Sequence, residues 1–183
     1  MKHLYQNWNE FKVLSFFFEN PYQEVYLREL ARALKMSASS VLRALNFLAS
    51  EKMLVRSKRS NGVYFKANLT PLFKANKIAY TLSKIFSSKV IEKVEKKSAG
   101  LNCFLLFGSA AKGEDDKNSD YDLLLITSST KISSGELAAK LGREVNLKIF
   151  NVAEWHDVKK KNNAFYNEVI SNSVCLLGEK PVL

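Results

Sequence analysis

A chain of 183 residues that is 46% hydrophobic can bury one medium core or two small ones, and it lacks the composition of a disordered protein. Two cysteines are too few for a disulfide framework, no apolar run is long enough to span a membrane, and Glu10 and Lys12 interrupt any signal-peptide core, so a cytoplasmic location is expected. The net charge of +10 is uneven: residues 1–98 carry 18 Lys+Arg against 7 Asp+Glu, whereas residues 99–183 carry 10 against 11. A basic first half points to a polyanionic partner, although a merely solubilising surface has the same composition.

In chain order, the apolar residues from Trp8 to Phe18 predict a helix that stops before Pro21. Leu27, Leu30, Ala31 and Leu34 fall at i, i+3, i+4 and i+7, one face of a second helix. Lys35-Met36 reads as a short turn. Ser37 is a good N-cap, and Val41, Leu45 and Leu48 continue as a third helix. Met53 to Arg56, a turn at Ser60-Asn61-Gly62 and Val63 to Lys66 predict a basic hairpin. From Leu27 to Val55 the pattern resembles the winged-helix domains of bacterial and archaeal transcription regulators, with Met53 where many of those have glycine. With the apolar face of the third helix inward, Ser39, Ser40, Arg43 and Asn46 face outward, able to reach base edges or phosphates of double-stranded DNA. Lys58 and Arg59 at the hairpin tip would add phosphate or minor-groove contacts. A winged helix used only for protein contacts is the competing reading.

Pro71 suits a first helical position, and Leu72, Ile78, Leu82, Ile85, Phe86, Val90 and Val94 recur at helical spacing. One long amphipathic helix over 71–98 is therefore expected, serving as a linker and, by resemblance to winged-helix proteins, as a candidate homodimer seam; packing on its own chain explains it equally well. Glu95 to Gly100 reads as its frayed end. The expected organisation is 1–70, 71–98 and 99–183.

Leu101 to Phe107 predicts a buried strand that enters a tight turn at Gly108-Ser109, and Ala110 to Lys112 can open a helix. Asp122 leads into a second apolar run, Leu123 to Ile126. Side chains alternate along a strand, so Asp120 and Asp122 present two carboxylates on one side with Tyr121 turned away. Two close carboxylates repel unless a cation lies between them, and Mg²⁺ prefers oxygen ligands. Backbone N–H groups at the Gly-Ser turn suit a phosphate. Gly108 and Gly113 have the gap of a P-loop, but Glu114 stands where that motif needs lysine. The bland alternative is a strand–turn–strand with a solvated acidic loop at Glu114, Asp115 and Asp116.

Gly108, Ser109, Gly113, Ser119, Asp120, Asp122 and Leu123 resemble the nucleotidyltransferase signature G-S-x-x-x-G…S-D-x-D-L of the DNA polymerase β superfamily, in its minimal form. The resemblance implies that Asp120 and Asp122 bind Mg²⁺ and are catalytic, and that Gly108, Ser109, Lys112 and Ser119 hold a nucleoside triphosphate. An acceptor hydroxyl would attack the α-phosphorus and release pyrophosphate. It also suggests a protein acceptor, as in toxin–antitoxin pairs where the toxin is modified.

The superfamily takes a third carboxylate from a later strand. Aligned on Val145-Asn146-Leu147, that place belongs to Asn146, whose neutral amide cannot accept a proton as a carboxylate does; Glu144, two residues earlier, is a candidate substitute.

Around this strand, at Glu144 to Phe150, the sequence predicts a Ser/Thr-rich loop at Thr127 to Ser134 and a short helix at Gly135 to Gly142. Lys148, on the same strand face, is a candidate phosphate ligand or a simple counter-charge to the aspartates. A final helical region contains Trp155, Phe165, Val169 and Ile170, and Ser173 to Leu177 reads as an edge strand. Cys103 and Cys175 read as core thiols.

The expected class is α+β: an N-terminal winged helix-turn-helix, a linker helix and a small α/β nucleotidyltransferase domain with a mixed sheet. The expected function is nucleotidyl transfer from Mg-NTP to an unknown acceptor, guided by a DNA-binding domain. The alternative is a transcriptional regulator whose second domain only binds nucleotide.

Overall fold

The computed structural model describes residues 8–59 and 62–182. It divides into two compact units, one ending at Tyr80 and the other beginning at Thr81.

The first unit runs α1 (Asn9–Glu19), β1 (Val25–Tyr26), α2 (Leu27–Leu34), α3 (Ala38–Ser50), β2 (Leu54–Arg59), β3 (Gly62–Ala67) and the first part of α4 (Pro71–Ser87). Phe17, Leu30, Val41, Leu45, Phe65 and Phe73 lie at the centre of its core, all buried. Ser37 caps α3 as expected, its Oγ accepting from the Ser40 amide at 3.1 Å. The three strands form an antiparallel sheet in the order β1-β3-β2. The two-residue strand β1 is too short to leave a periodic signal in the sequence. Ser60 and Asn61 of the predicted turn lie outside the described residues.

The single helix expected over 71–98 is two helices. α4 ends at Ser87, Lys89 takes a left-handed conformation (φ 61°), and α5 (Val90–Lys97) starts afresh. Ser88 explains the break: its Oγ donates to the Ile85 carbonyl and accepts from the Val90 amide, competing with the helical ladder. Nor is the end of α5 frayed, because Ser98 opens β4 (Ser98–Phe107) directly.

The second unit continues through α6 (Gly108–Lys112), β5 (Tyr121–Thr130), α7 (Ser134–Leu141), β6 (Val145–Phe150), α8 (Val152–Lys161), α9 (Asn163–Asn172) and β7 (Val174–Gly178). Its four-stranded sheet has the order β6-β5-β4-β7. β4 pairs antiparallel with β5 and β7, and β5 pairs parallel with β6, so the sheet is mixed as expected. Both faces are covered. Phe104, Leu106, Leu123 and Leu125 point to one apolar layer, Cys103, Leu105, Leu124 and Ile126 to the other. The first half of the segment expected as a loop from Thr127 to Ser134 belongs to β5, which runs to Thr130 against Ser98. Its Ser and Thr side chains are compatible with a strand, and the distant partner strand β4 decides the matter.

Candidate functional site

Asp122 lies on the central strand β5, opposite Phe107 on β4 and Asn146 on β6. The strand register alone thus gathers the Gly108 turn, the aspartate and the amide at one end of the sheet. Gly108 follows Phe107 with φ +71°, a conformation costly to other residues. A β-carbon there would lie 2.2 Å from Asp122 Oδ2. The turn therefore needs glycine twice over, for its backbone angle and for room beside the carboxylate. The Ser109 hydroxyl, immediately after, takes no hydrogen bond among the described residues.

Asp120 is exposed, one residue before β5, and its carboxylate has no hydrogen bond or ion pair among the described residues. Tyr121 between the two aspartates is buried in the opposite direction, as strand alternation requires. Asn146 stands at the third-strand place, and its Nδ2 donates to Asp122 Oδ1 at 2.9 Å. Glu144 falls before β6; its carbonyl accepts the Tyr121 amide, and its side chain is exposed.

Two expected phosphate ligands are otherwise engaged. Lys112 Nζ pairs with Glu168 Oε1 on α9 at 2.7 Å. That hydrogen bond raises the lysine's pKa, and the same contact, joined by Asn172, lowers that of Glu168. Ser119 is bound into a turn: its amide and hydroxyl both donate to Asp116 Oδ1, and its Oγ accepts from the Asp116 amide at 3.0 Å.

The acidic loop, which the bland alternative takes as solvated, contains a buried ion pair. Arg143 Nη1 meets Asp115 Oδ2 at 2.7 Å, with the two side chains only 9% and 3% exposed. The guanidinium also donates to the Asp116 carbonyl and stacks over the Tyr121 ring, 4.5 Å from its centroid. Arg143 thus ties the loop leading to Ser119 and Asp120 to the start of β6. Nothing local in the sequence announces this, since the two residues are 28 positions apart.

In the first unit, Ser39, Arg43, Asn46, Lys58 and Arg59 are exposed, and Ser40 is half-buried. The Ser40 hydroxyl accepts from Ser37 Oγ at 2.9 Å, inside the cap of α3. Arg59 is held by Glu24 at 2.5 Å and lies over Tyr64. Arg43 and Lys58 make no ion pair among the described residues. No group of three or more His, Cys, Asp or Glu able to hold a metal occurs among the described residues. No described helix is long and apolar enough to cross a membrane.

A mixed sheet whose central strand sets an aspartate against a strand–glycine–helix turn, with a second aspartate two residues before it, has the architecture of nucleotidyl-transfer domains. Residues 88–181, just over half of the chain, match the family described as polymerase beta, nucleotidyltransferase, and the chain belongs to that family. No curated protein matches it. Among solved structures it is similar to a toxin–antitoxin crystallised with AMP-PNP (20% identity, TM-score 0.38) and to a mutant of the toxin–antitoxin MntA-HpeT (18% identity, TM-score 0.39). Each match covers 54% of this chain and 74% of the other.

Proposed function

We propose that the second unit binds a nucleoside triphosphate with Mg²⁺ and transfers its nucleotidyl group to an acceptor, and that the first unit is a winged helix that holds the protein on double-stranded DNA. The observation that carries the first part is the apposition of Gly108 to Asp122: the turn is kept free of a β-carbon where the carboxylate sits. Gly108 and Ser109 would offer a backbone amide and a free hydroxyl to phosphate oxygens. Asp120 and Asp122 supply the hard oxygen donors that Mg²⁺ prefers, so the residues fit the ion. Bound there, Mg²⁺ would neutralise charge on the triphosphate.

Asn146 limits what these residues can do. Its amide hydrogen-bonds Asp122 and so orients that carboxylate, but it takes no proton from an attacking hydroxyl. This favours a second reading, in which the domain binds nucleotide and signals its presence without efficient transfer. The acceptor, by family resemblance, is a protein such as a toxin partner.

The order α2, tight turn, α3 and basic hairpin supports the winged-helix reading, as do the exposed Ser39, Arg43 and Asn46 on α3 and Lys58 on β2. Arg59 and Ser40 contribute less than their positions suggest, because each already has a protein partner.

Incubation with α-labelled nucleoside triphosphates and candidate acceptors separates the two readings. Transfer that Asp120→Ala abolishes supports the enzyme. Binding without transfer, with Asn146→Asp gaining transfer, supports the sensor. Absence of both binding and transfer contradicts the site.

A further inference from the structure

Lys148 on β6 takes no part in the arrangement of Gly108, Asp120 and Asp122, yet it stands on the same face of the sheet. β6 pairs in register with β5, so Asn146 lies opposite Asp122 and Lys148 opposite Leu124. Side chains two apart on a strand share a face, and Lys148 therefore follows Asn146 by about 7 Å along β6. The apolar layer on that face contains Phe107 and Leu124, with Phe165 of α9 packed against it. The Phe165 ring meets Phe107 edge-on at 5.7 Å and Trp155 at 6.3 Å, so it is held from two sides. Lys148 Nζ lies 5.7 Å from the centroid of that ring, within cation–π range.

A lysine that merely offset the aspartates would meet one of their carboxylates. Lys148 is half-buried and makes no ion pair or hydrogen bond among the described residues, with Asp120, Asp122 or any other group. A ring face attracts an ammonium by its charge and occupies none of its N–H donors. The head is thus held in place and still able to donate. Lys112, by contrast, is engaged by Glu168 at 2.7 Å.

The charge of the site agrees. A two-metal clamp on a phosphoryl group needs ligands for both ions. With the neutral Asn146 in the third-strand place, Asp120 and Asp122 are suited to a single divalent ion. An ammonium on the Asn146 side supplies a second positive centre that needs no ligand set of its own. Across the end of the sheet the order is Gly108 after β4, Asp122 on β5, and Asn146 with Lys148 on β6.

We infer that Lys148 is a phosphate ligand of the nucleotide site and stands in for a second metal ion, gripping the triphosphate on the side away from the Gly108 turn; the inference rests on the nucleotide-binding reading given above. The site then takes one divalent ion and one lysine.

The test is calorimetric titration of the full chain with the common nucleoside triphosphates at saturating Mg²⁺, together with a count of bound Mn²⁺ by electron paramagnetic resonance. The wild type should hold one Mn²⁺ for each bound nucleotide. Lys148→Met keeps an apolar stem over Phe165 and should weaken nucleotide binding about tenfold or more, because a charge-assisted hydrogen bond is lost. Its thermal unfolding midpoint should stay where it is, and Lys148→Arg should recover most of the affinity. Asn146→Asp/Lys148→Met should bind a second Mn²⁺.

If the wild type binds nucleotide in a way that needs Mg²⁺ and Asp122, and Lys148→Met binds as tightly or more tightly, the lysine only screens the aspartates; the inference is then wrong and the nucleotide site stands. Two Mn²⁺ for each nucleotide in the wild type would also overturn it. If the wild type binds no nucleotide, the nucleotide-binding reading fails and the inference with it. A lowered unfolding midpoint in Lys148→Met, with no recovery of affinity in Lys148→Arg, would make the lysine a structural residue and equally contradict the inference.

Discussion

The two units differ in the cations they pair, although Arg59 of the first unit also meets a carboxylate, that of Glu24. In the second, Lys93 and Lys97 share Glu136, Lys112 meets Glu168, Lys161 meets Asp157, and Arg143 is buried against Asp115. In the first, Arg28, Arg32, Lys35, Arg43 and Lys58 make no ion pair among the described residues. Net charge alone shows only that one half is basic. Pairing shows where positive charge serves the fold, and its absence marks the cations on which the proposed DNA-binding reading rests. The carboxylates follow the same logic: Asp115 is consumed by the structure, whereas Asp120 is left open beside Asp122.

The largest effect that would test this contrast is Arg143→Met. Asp115 would be left buried without its guanidinium, costing about 3–5 kcal/mol, to be read in denaturant unfolding of the full chain. Adding Asp115→Leu to that variant should restore part of the stability, because no charge then remains buried. A cost below about 1 kcal/mol would mean that the pair behaves like a surface one and that the contrast is overstated.

Gly108→Ala comes next. The positive φ alone costs about 1–2 kcal/mol, and the new methyl would also displace the Asp122 carboxylate. The expected result is a modest fall in the unfolding midpoint together with a marked loss of nucleotide affinity.

Glu136 gives a smaller, pH-dependent effect. Hydrogen bonds from Lys97 and then Lys93 lower its carboxyl from an ordinary 4.5 to about 2. A depressed folded-state value means the contribution is complete above about pH 4.5 and is lost as pH falls towards 2. Glu136→Gln should therefore reduce stability at neutral pH slightly and flatten its dependence over that acid window. Both lysines and the glutamate are solvated, so the effect should shrink in salt.

Smallest of all, Arg28→Ala/Arg32→Ala should change stability by no more than about 0.5 kcal/mol, as expected where a charge serves no internal partner. A substantial destabilisation would show that these residues hold the first unit together.

What is legible in the sequence is what neighbouring residues decide. The Ser37 cap, the turn at Lys35-Met36, and the Gly108 turn before a helix depend on a few consecutive side chains. The same holds for the opposed directions of Asp120 and Tyr121. Asn146 can be placed on the third strand because β6 carries its own apolar alternation, and that strand pairs in register with Asp122. What stays hidden depends on remote partners. The ion pair of Asp115 is hidden because Arg143 is 28 positions further along the chain. Lys112 reads as free for phosphate because Glu168 lies on α9. The seat of Lys148 is hidden too, because the Phe165 ring, whose centroid is 5.7 Å from its Nζ, also lies on α9. The break between α4 and α5 is hidden for a different reason. Apolar spacing continues across Ser88, and only the hydroxyl's hydrogen bonds show that the helical backbone does not.

The account turns on whether Asp120 and Asp122, beside the Gly108 turn, hold a magnesium-bound triphosphate. Calorimetric titration of the full chain with each common nucleoside triphosphate, with and without Mg²⁺, measures this directly, with Asp122→Asn as the control. At least one nucleotide should give saturable heat that needs Mg²⁺ and disappears in Asp122→Asn. Heat that is indifferent to Mg²⁺, or unchanged in Asp122→Asn, would contradict it.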